Sequence, residues 1–484
     1  MKSKHLLAIV FLCINFLAVN GQSGNFDISK YKLPDIKTNT LDLNMSSNQA
    51  ASGNKQKIPT NSFESLSRTS SLNGEFDAIY RNYRNTRYYQ GTQEFEIESS
   101  PSFYRIRSAS DTSRRSGLYQ NYSFYSSNRF YNSQSTFFEI DPGISYISNI
   151  YTFRDTRYSG KGKSGSEAFK VTLPLGVGFG RLEPVQDARL AVYIIDELKT
   201  TGRLKNTPSD SVIIELAKVI SKIKNKRFFD YRIRKIEEMQ TVDSFLVKNN
   251  LVTENDMVYF TALRDQWDYA SGPARNAGFS LSVGLDNSMA LLKDRDFHMV
   301  YDFDLSQFYY DNSIVTTNTF YSGPYIKAEW SKPHNLYWQS DFTSQSSYIF
   351  QYDRDPSFKD DITKNFNTKI WFTEASYNLR FIPNSRTTYS LSANAYYRNS
   401  SGNRPEYDIL NEVDGDYSLN ELSTSISASV NYYFSPQLRI QAGASFSGLI
   451  SRSDTKYQSV FAEYISNINN FNESCFIGFT YSFF

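Results

Sequence analysis

Residues 421–446 read E-L-S-T-S-I-S-A-S-V-N-Y-Y-F-S-P-Q-L-R-I-Q-A-G-A-S-F. Ile426, Ala428, Val430, Tyr432 and Phe434 fall on one parity, with Ser425, Ser427, Ser429 and Asn431 on the other. After Ser-Pro-Gln the pattern resumes: Leu438, Ile440, Ala442, Ala444 and Phe446 alternate with Arg439, Gln441 and Ser445. Successive side chains on a strand point to opposite faces, so alternation on both sides of a proline turn predicts an antiparallel hairpin with one apolar face.

Two similar units precede it. Trp371, Ala375, Tyr377, Leu379 and Phe381 run into Pro383-Asn384-Ser385, and Tyr389, Leu391, Ala393 and Ala395 run out. Phe320, Ile326, Ala328 and Trp330 lead to Pro333, followed by Leu336, Trp338 and Phe342. The turns at Pro333, Pro383 and Pro436 lie about 50 residues apart, with longer polar loops expected near 352–365, 401–420 and 453–472. A soluble sandwich alternates too, but does not keep short turns on one side and long loops on the other so regularly. Closed membrane barrels do, with the short turns on the periplasmic side.

Five strands are expected before residue 181, near 74–84, 88–108, 116–130, 136–155 and 167–180, and about nine after 275. The expected fold is therefore an all-β antiparallel transmembrane barrel of about 14 strands, 12 being the second choice because the first strand is weak. It divides into a first barrel segment (73–180), a helical insertion (181–274) and a second barrel segment (275–484).

The insertion shows a helical period. Val185, Ala188, Ala191, Val192, Ile195 and Leu198 mark one stripe behind Pro184, and Val212, Ile213, Leu216, Ala217, Ile220 and Ile223 a second behind Ser209 or Asp210. Ile233, Ile236, Met239, Val242, Phe245 and Leu246 form a third; Met257, Phe260, Leu263 and Trp267 form a fourth, behind a capping box of Thr253 and Asp256. Four amphipathic helices bury a small core together. Counting nine strands back from a periplasmic C-terminus places the insertion on the outer side, where residues 185–269 would serve as a protein-contact module.

Residues 22–72, rich in Ser, Asn, Thr and Lys, read as a flexible leader. Ahead of them Lys2, Lys4 and the apolar run Leu6–Val19 predict an export signal over 1–21, cut before Gln22. That run is shorter than the roughly 20 residues a spanning helix needs. Cys13 lies within the signal, which leaves Cys475 alone and excludes an intramolecular disulfide in the mature chain.

At the other end, Ile477, Phe479, Tyr481 and Phe483 alternate with Gly478, Thr480 and Ser482, and Phe484 follows, one residue past the usual register. This resembles the closing strand of porins and related barrels, and with the export signal and the three hairpins the chain resembles a Gram-negative outer-membrane β-barrel protein, porin-like in kind. The resemblance covers about half the chain and excludes the helical insertion. It implies outer-membrane localisation, contact with outer-membrane lipid, recognition of Ile477, Phe479, Tyr481, Phe483 and Phe484 by the barrel-assembly machinery, and solute passage.

Composition agrees. Aromatics form 16% of the 484 residues, as 36 Tyr and 37 Phe against 4 Trp, which suits interfacial girdles and strands alike. A net charge of +2 gives no support to nucleic-acid binding. Mean hydropathy is −0.50, as low as a soluble protein's, because a barrel hides its apolar band in alternation.

By parity Asp302, Asp304, Lys327, Glu329, Asp341, Glu374, Arg380, Arg398 and Arg439 point into the lumen. Charges of both signs there either select small polar solutes or fill the space as ion pairs. The main expectation is thus a channel or transporter for small polar solutes. The alternative is an envelope interaction protein with a plugged barrel.

No enzyme, metal or cofactor is expected. His298 and His334 lie in a strand end and a turn, away from any nucleophile constellation. G-K-G-K-S at 160–164 has Arg157 where a P-loop needs Gly, and G-V-G-F-G at 176–180 reads as a strand bend or close packing.

Overall fold

A computed structural model describes residues 26–58, 63–108, 112–132, 135–155, 161–226, 231–269, 274–302, 307–355, 364–384, 386–407, 412–435, 438–457 and 463–481. The described residues form one antiparallel sheet interrupted by four α-helices. Its strands are β1 (Ile36–Ile58), β2 (Phe63–Asn85), β3 (Tyr89–Arg107), β4 (Thr112–Tyr131), β5 (Thr136–Ile140), β6 (Gly143–Asp155), β7 (Lys161–Thr172) and β8 (Leu175–Pro184). After the helices come β9 (Asn276–Asp302), β10 (Gln307–Pro333), β11 (Trp338–Asp355), β12 (Lys364–Asn384), β13 (Thr387–Tyr407), β14 (Glu412–Tyr433), β15 (Leu438–Tyr457) and β16 (Glu463–Tyr481).

Sixteen segments make fourteen continuous strands. β4 pairs with β5 near one end and β6 along the rest, and β9 pairs likewise with β8 and β7. The breaks fall at Asp141-Pro142 and Leu173-Pro174, where proline cannot donate to a ladder. The gaps are bridged by Ser126 N–H to the Pro142 carbonyl (2.9 Å) and Asp141 N–H to the Pro174 carbonyl (3.1 Å).

The total of 14 agrees with expectation, but its distribution does not. Six continuous strands precede the helices and eight follow, where five and nine were expected. The additional early strand is β1, inside the segment read as a flexible leader. All 23 of its residues pair with β2, from Ile36 opposite Asn85 to Ile58 opposite Phe63. A ladder needs only backbone groups, so a polar sequence does not prevent it. Among the described residues no ladder joins β1 to β16.

The redistribution moves the insertion. With eight strands after it, the β8–β9 connection lies at the same end as the C-terminal end of β16 and the turns β2–β3, β4–β5, β10–β11, β12–β13 and β14–β15. The expectation of the opposite end is therefore corrected: one strand too many inverts the parity.

The long loops are corrected as well. Much of 352–365, 401–420 and 453–472 continues as strand in β11–β16, while the connections 356–363, 408–411 and 458–462 lie outside the described residues. β9 and β10 have 27 residues each, roughly 90 Å of strand, where 9–11 residues span a bilayer. Most of each strand therefore extends beyond any membrane band. The signal at 1–21, the turn residues Ser385 and Pro436, and the terminal Phe483 and Phe484 also lie outside the described residues.

The helices are α1 (Gln186–Thr200), α2 (Asp210–Lys224), α3 (Tyr231–Lys248) and α4 (Met257–Tyr269). Pro184 closes β8 rather than opening α1, which starts after Val185. α1 is the hub: Ala188, Leu190, Ala191, Ile194 and Leu198 are all fully buried. Leu216, Ala217 and Ile220 of α2, Val242 and Leu246 of α3, and Tyr259 and Leu263 of α4 pack in the same cluster. Asp256 itself caps α4, accepting from Tyr259 N–H at 3.0 Å, in place of the Thr253 box.

Candidate functional site

The sheet separates an apolar outer face from a polar inner one. On the outside Phe130, Phe138, Val177, Val283 and Ile326 stand directly opposite one another across β4, β5, β8, β9 and β10. A second outward row runs Trp338, Phe381, Tyr389, Val430, Ala442 and Ile477 across β11 to β16. Phe130, Val177 and Ile477 are 47%, 58% and 74% exposed, while Trp338, Phe381, Val430 and Ala442 are half-buried. Cys475, opposite Ala444, shares this face and is exposed.

The inner face carries the charges. Arg129 of β4 meets Glu139 of β5 at 3.2 Å and Glu329 of β10 at 2.6 Å. Lys327 lies 3.5 Å from Glu329, and the Tyr325 hydroxyl donates to Glu139 at 2.6 Å. β4 and β10 are four places apart in the continuous sheet, roughly 19 Å if it were flat, so this contact requires strong curvature. Gly176 makes the approach feasible: a Cβ there would sit 2.4 Å from the Tyr325 hydroxyl. Gly180, at φ +100°, provides the bend beside it.

Asp341 and Arg380 form a second inward pair at 2.6 Å, in register through Gln339. Glu374 stands opposite Gln345 and Tyr396, and with Lys327 it lines an inner cleft of about 450 Å³. Arg398 faces inward opposite Glu421, and Arg439 does so opposite Tyr433 and Thr480. Among the described residues neither meets the Arg129 network. Asp302 ends β9 with its side chain outside the described set, and Asp304 lies outside the described residues altogether.

Sequence reasoning missed Arg129, Glu139 and Tyr325. Alternation marks the bounds of the early strands poorly, so no parity is assignable to Arg129 or Glu139, although Arg129-Phe130-Tyr131 against Phe137-Phe138-Glu139 is a usable signal; Tyr325 shares the inward parity of Lys327 but has no charge to single it out.

One end of this lumen is covered. Arg275, just before β9, is fully buried and donates to the carbonyl oxygens of Leu336 (2.5 Å), Asn335 (2.7 Å) and Trp338 (2.9 Å) and to Gln339 Oε1 (3.1 Å). Burial, then the neighbouring Arg189 and Arg380, push its pKa down to about 9, so it remains a cation at neutral pH. Arg386 in the β12–β13 turn meets Asp265 of α4 at 3.1 Å, Tyr193 of α1 reaches the Ile382 carbonyl at 3.5 Å, and Thr38 of β1 bonds Asn225. Rim positions from β1 to β13 can share one small subdomain only if it lies across the mouth.

The segment before β1 belongs to this cap. Ile28 and Tyr31 are buried among the helices, and the Tyr31 hydroxyl lies 2.6 Å from Ser221 Oγ, which in turn bonds Asp187. Lys224 completes the chain at 3.4 Å from Asp187. Burial raises the Tyr31 pKa and, against the pull of Asp187, lowers that of Lys224.

No group of three or more metal-type ligands occurs among the described residues, and no helix among them is long and apolar enough to cross a membrane. No protein-family profile and no curated protein matches the chain. Solved structures give distant similarities. The translocator domain of autotransporter NalP from Neisseria meningitidis has 9% identity and a TM-score of 0.21, over 81% of this chain and 88% of that one. The siderophore receptor PiuA from Acinetobacter baumannii has 7% identity and a TM-score of 0.27, over 93% and 82%. OmpT, an outer membrane protein of Vibrio cholerae, has 9% identity and a TM-score of 0.22, over 92% and 100%. Superpositions this loose carry no argument, so the reading of the site rests on the strand pattern and its two faces.

Proposed function

We propose that this chain is an outer-membrane β-barrel that passes small polar solutes through a charge-lined lumen, with the four-helix subdomain covering the periplasmic mouth. The observation that carries it is the division of the sheet. In-register apolar rows stand exposed on the outside, while ion pairs and hydroxyls occupy the inside. Exposed apolar area on this scale needs a lipid or protein partner, and a circumferential band alternating with a polar interior matches lipid. Solutes would meet Lys327, Glu329, Glu374 and the Arg129 pairs before the cap. Passage then requires the cap to shift, since its contacts span the rim.

The test combines a heat-modifiability gel on outer membranes with conductance in liposomes. A mobility shift, with weak conductance that rises when Arg275→Met loosens the cap, is the expected result. A folded, inserted protein that stays electrically silent in both forms would sink the solute reading. Absence from the membrane fraction would sink the barrel reading.

One observation favours a second role for the cap. Met257 (80% exposed), Val258 and Phe260 at the start of α4 present apolar area away from the core, as a contact module for a periplasmic protein would.

A further inference from the structure

The outer wall carries a row of cations at the end remote from the cap. Arg105, Arg114, Arg154 and Lys161 lie directly opposite one another on β3, β4, β6 and β7. Even spacing fixes their face: Arg114 is ten residues from outward Phe124, and Arg154 ten from outward Ile144. Arg68 and Arg107, paired across β2 and β3, continue the same face one step further from the cap.

Adjacent strands are about 4.8 Å apart, and like charges directly opposite each other destabilise a sheet. The row therefore costs stability unless anions neutralise it. Among the described residues no carboxylate of the wall does so. A cleft of about 680 Å³ opens over these residues, and among the described residues no carboxylate lines it. The outward Glu167 of β7, six residues from Lys161, already sits 3.5 Å from Arg295. The Arg105 Nε is buried with no hydrogen-bond partner among the described residues.

Polarity changes stepwise along the strands. Nearest the apolar band, Pro101, Leu118, Ile150 and Gly165 stand in one row. The next row holds Phe103, Ser116, Thr152, Lys163 and Phe297, and the cation row follows. Acyl-contacting residues, then hydroxyls flanked by aromatic rings, then guanidinium groups reproduce the order of groups in a phosphorylated lipid. Water alone would solvate the cations equally well, but it would not require them to continue an apolar strip. Arginine forks also match phosphate oxygens in pairs.

We infer that this face binds a lipid with a net-anionic phosphomonoester headgroup at the outward membrane surface, through Arg105, Arg114, Arg154, Lys161 and Lys163. The inference rests on the barrel reading above. The test uses full-length protein in phosphatidylcholine vesicles carrying either spin-labelled phosphatidic acid or spin-labelled phosphatidylcholine. Motional restriction of the label reports lipid at the wall, and the unheated gel shift reports insertion separately. Wild type should prefer phosphatidic acid. The Arg105→Gln, Arg114→Gln, Arg154→Gln triple variant should lose about fivefold in preference per cation removed, and Lys161→Gln with Lys163→Gln should lose a smaller share. The corresponding Arg→Lys triple should retain most of it. An unchanged preference in inserted Gln variants overturns the inference while leaving the barrel intact. Loss of the wild-type preference on adding inorganic phosphate assigns the site to free anions and also overturns it. A wild-type protein that shows no gel shift and no insertion removes the barrel reading and this inference together.

Discussion

Arg129 and Glu329, 200 positions apart in the chain, meet at 2.6 Å on the inner face of the sheet. Glu139, 3% exposed, meets the same guanidinium from β5, so one cation serves two carboxylates. Removing the cation should therefore cost far more than removing the more exposed acid. Arg129→Gln is expected to destabilise the folded barrel by about 3–5 kcal/mol because it leaves buried charge uncompensated. Glu329→Gln, with Lys327 still at hand, should cost less. Denaturant unfolding in detergent, followed by gel mobility, measures both; equal costs would contradict the shared-cation arrangement.

Loosening the cap should be separable from unfolding the barrel. Arg275→Met takes the donor from the Leu336 carbonyl and removes one bond each to Asn335 and Trp338, the latter keeping His334 N–H, and a buried unsatisfied group costs about 1–3 kcal/mol. The expected result is faster proteolysis within residues 186–269 of purified protein and an unchanged heat-dependent mobility. In intact cells the same residues should resist added protease until the outer membrane is permeabilised. Cleavage from outside would place the cap on the other surface.

Acid should melt the cap through Asp256. Its carboxylate accepts from both Arg203 and the Tyr259 N–H, and these bonds hold its pKa down, from 3.8 to about 2. A carboxyl depressed in the folded state contributes stability that is fully present above its unfolded value near 4 and is lost as pH falls through about 2. Helical circular dichroism should thus weaken between about pH 4 and 2. Asp256→Asn should be less stable at neutral pH and flatter across that window. A parallel pH profile in the variant would assign the transition to other groups.

Core truncation supplies a reference scale. Leu246 and Leu263 are fully buried on α3 and α4, and Leu→Ala at either should cost about 2–5 kcal/mol. Thermal melting of the helical signal should fall, with the barrel transition unmoved. A common shift of both would mean that cap and wall unfold as one unit.

Period-two alternation is a local property, and the sequence by itself determined whatever depends only on it. The hairpins through residues 371–395 and 421–446, the parity that sets Lys327 and Arg380 opposite to Trp330 and Phe381, and the four helices were all legible, though Ile236, Met257 and Phe260, read onto the buried stripes, are exposed. Leu41, Leu43 and Met45 alternate as well, yet the Ser- and Asn-rich residues after them concealed β1, because backbone pairing leaves little trace in polar side chains.

Tertiary structure alone decided the rest. Which mouth holds the helices depends on whether the number of following strands is odd or even, and a single strand inverts the answer. The meeting of Arg129 with Glu329 depends on curvature accumulated over four strands, and the cation row at Arg105, Arg114, Arg154 and Lys161 depends on the registers of three ladders. Each sums over the sheet, so no window of sequence contains it.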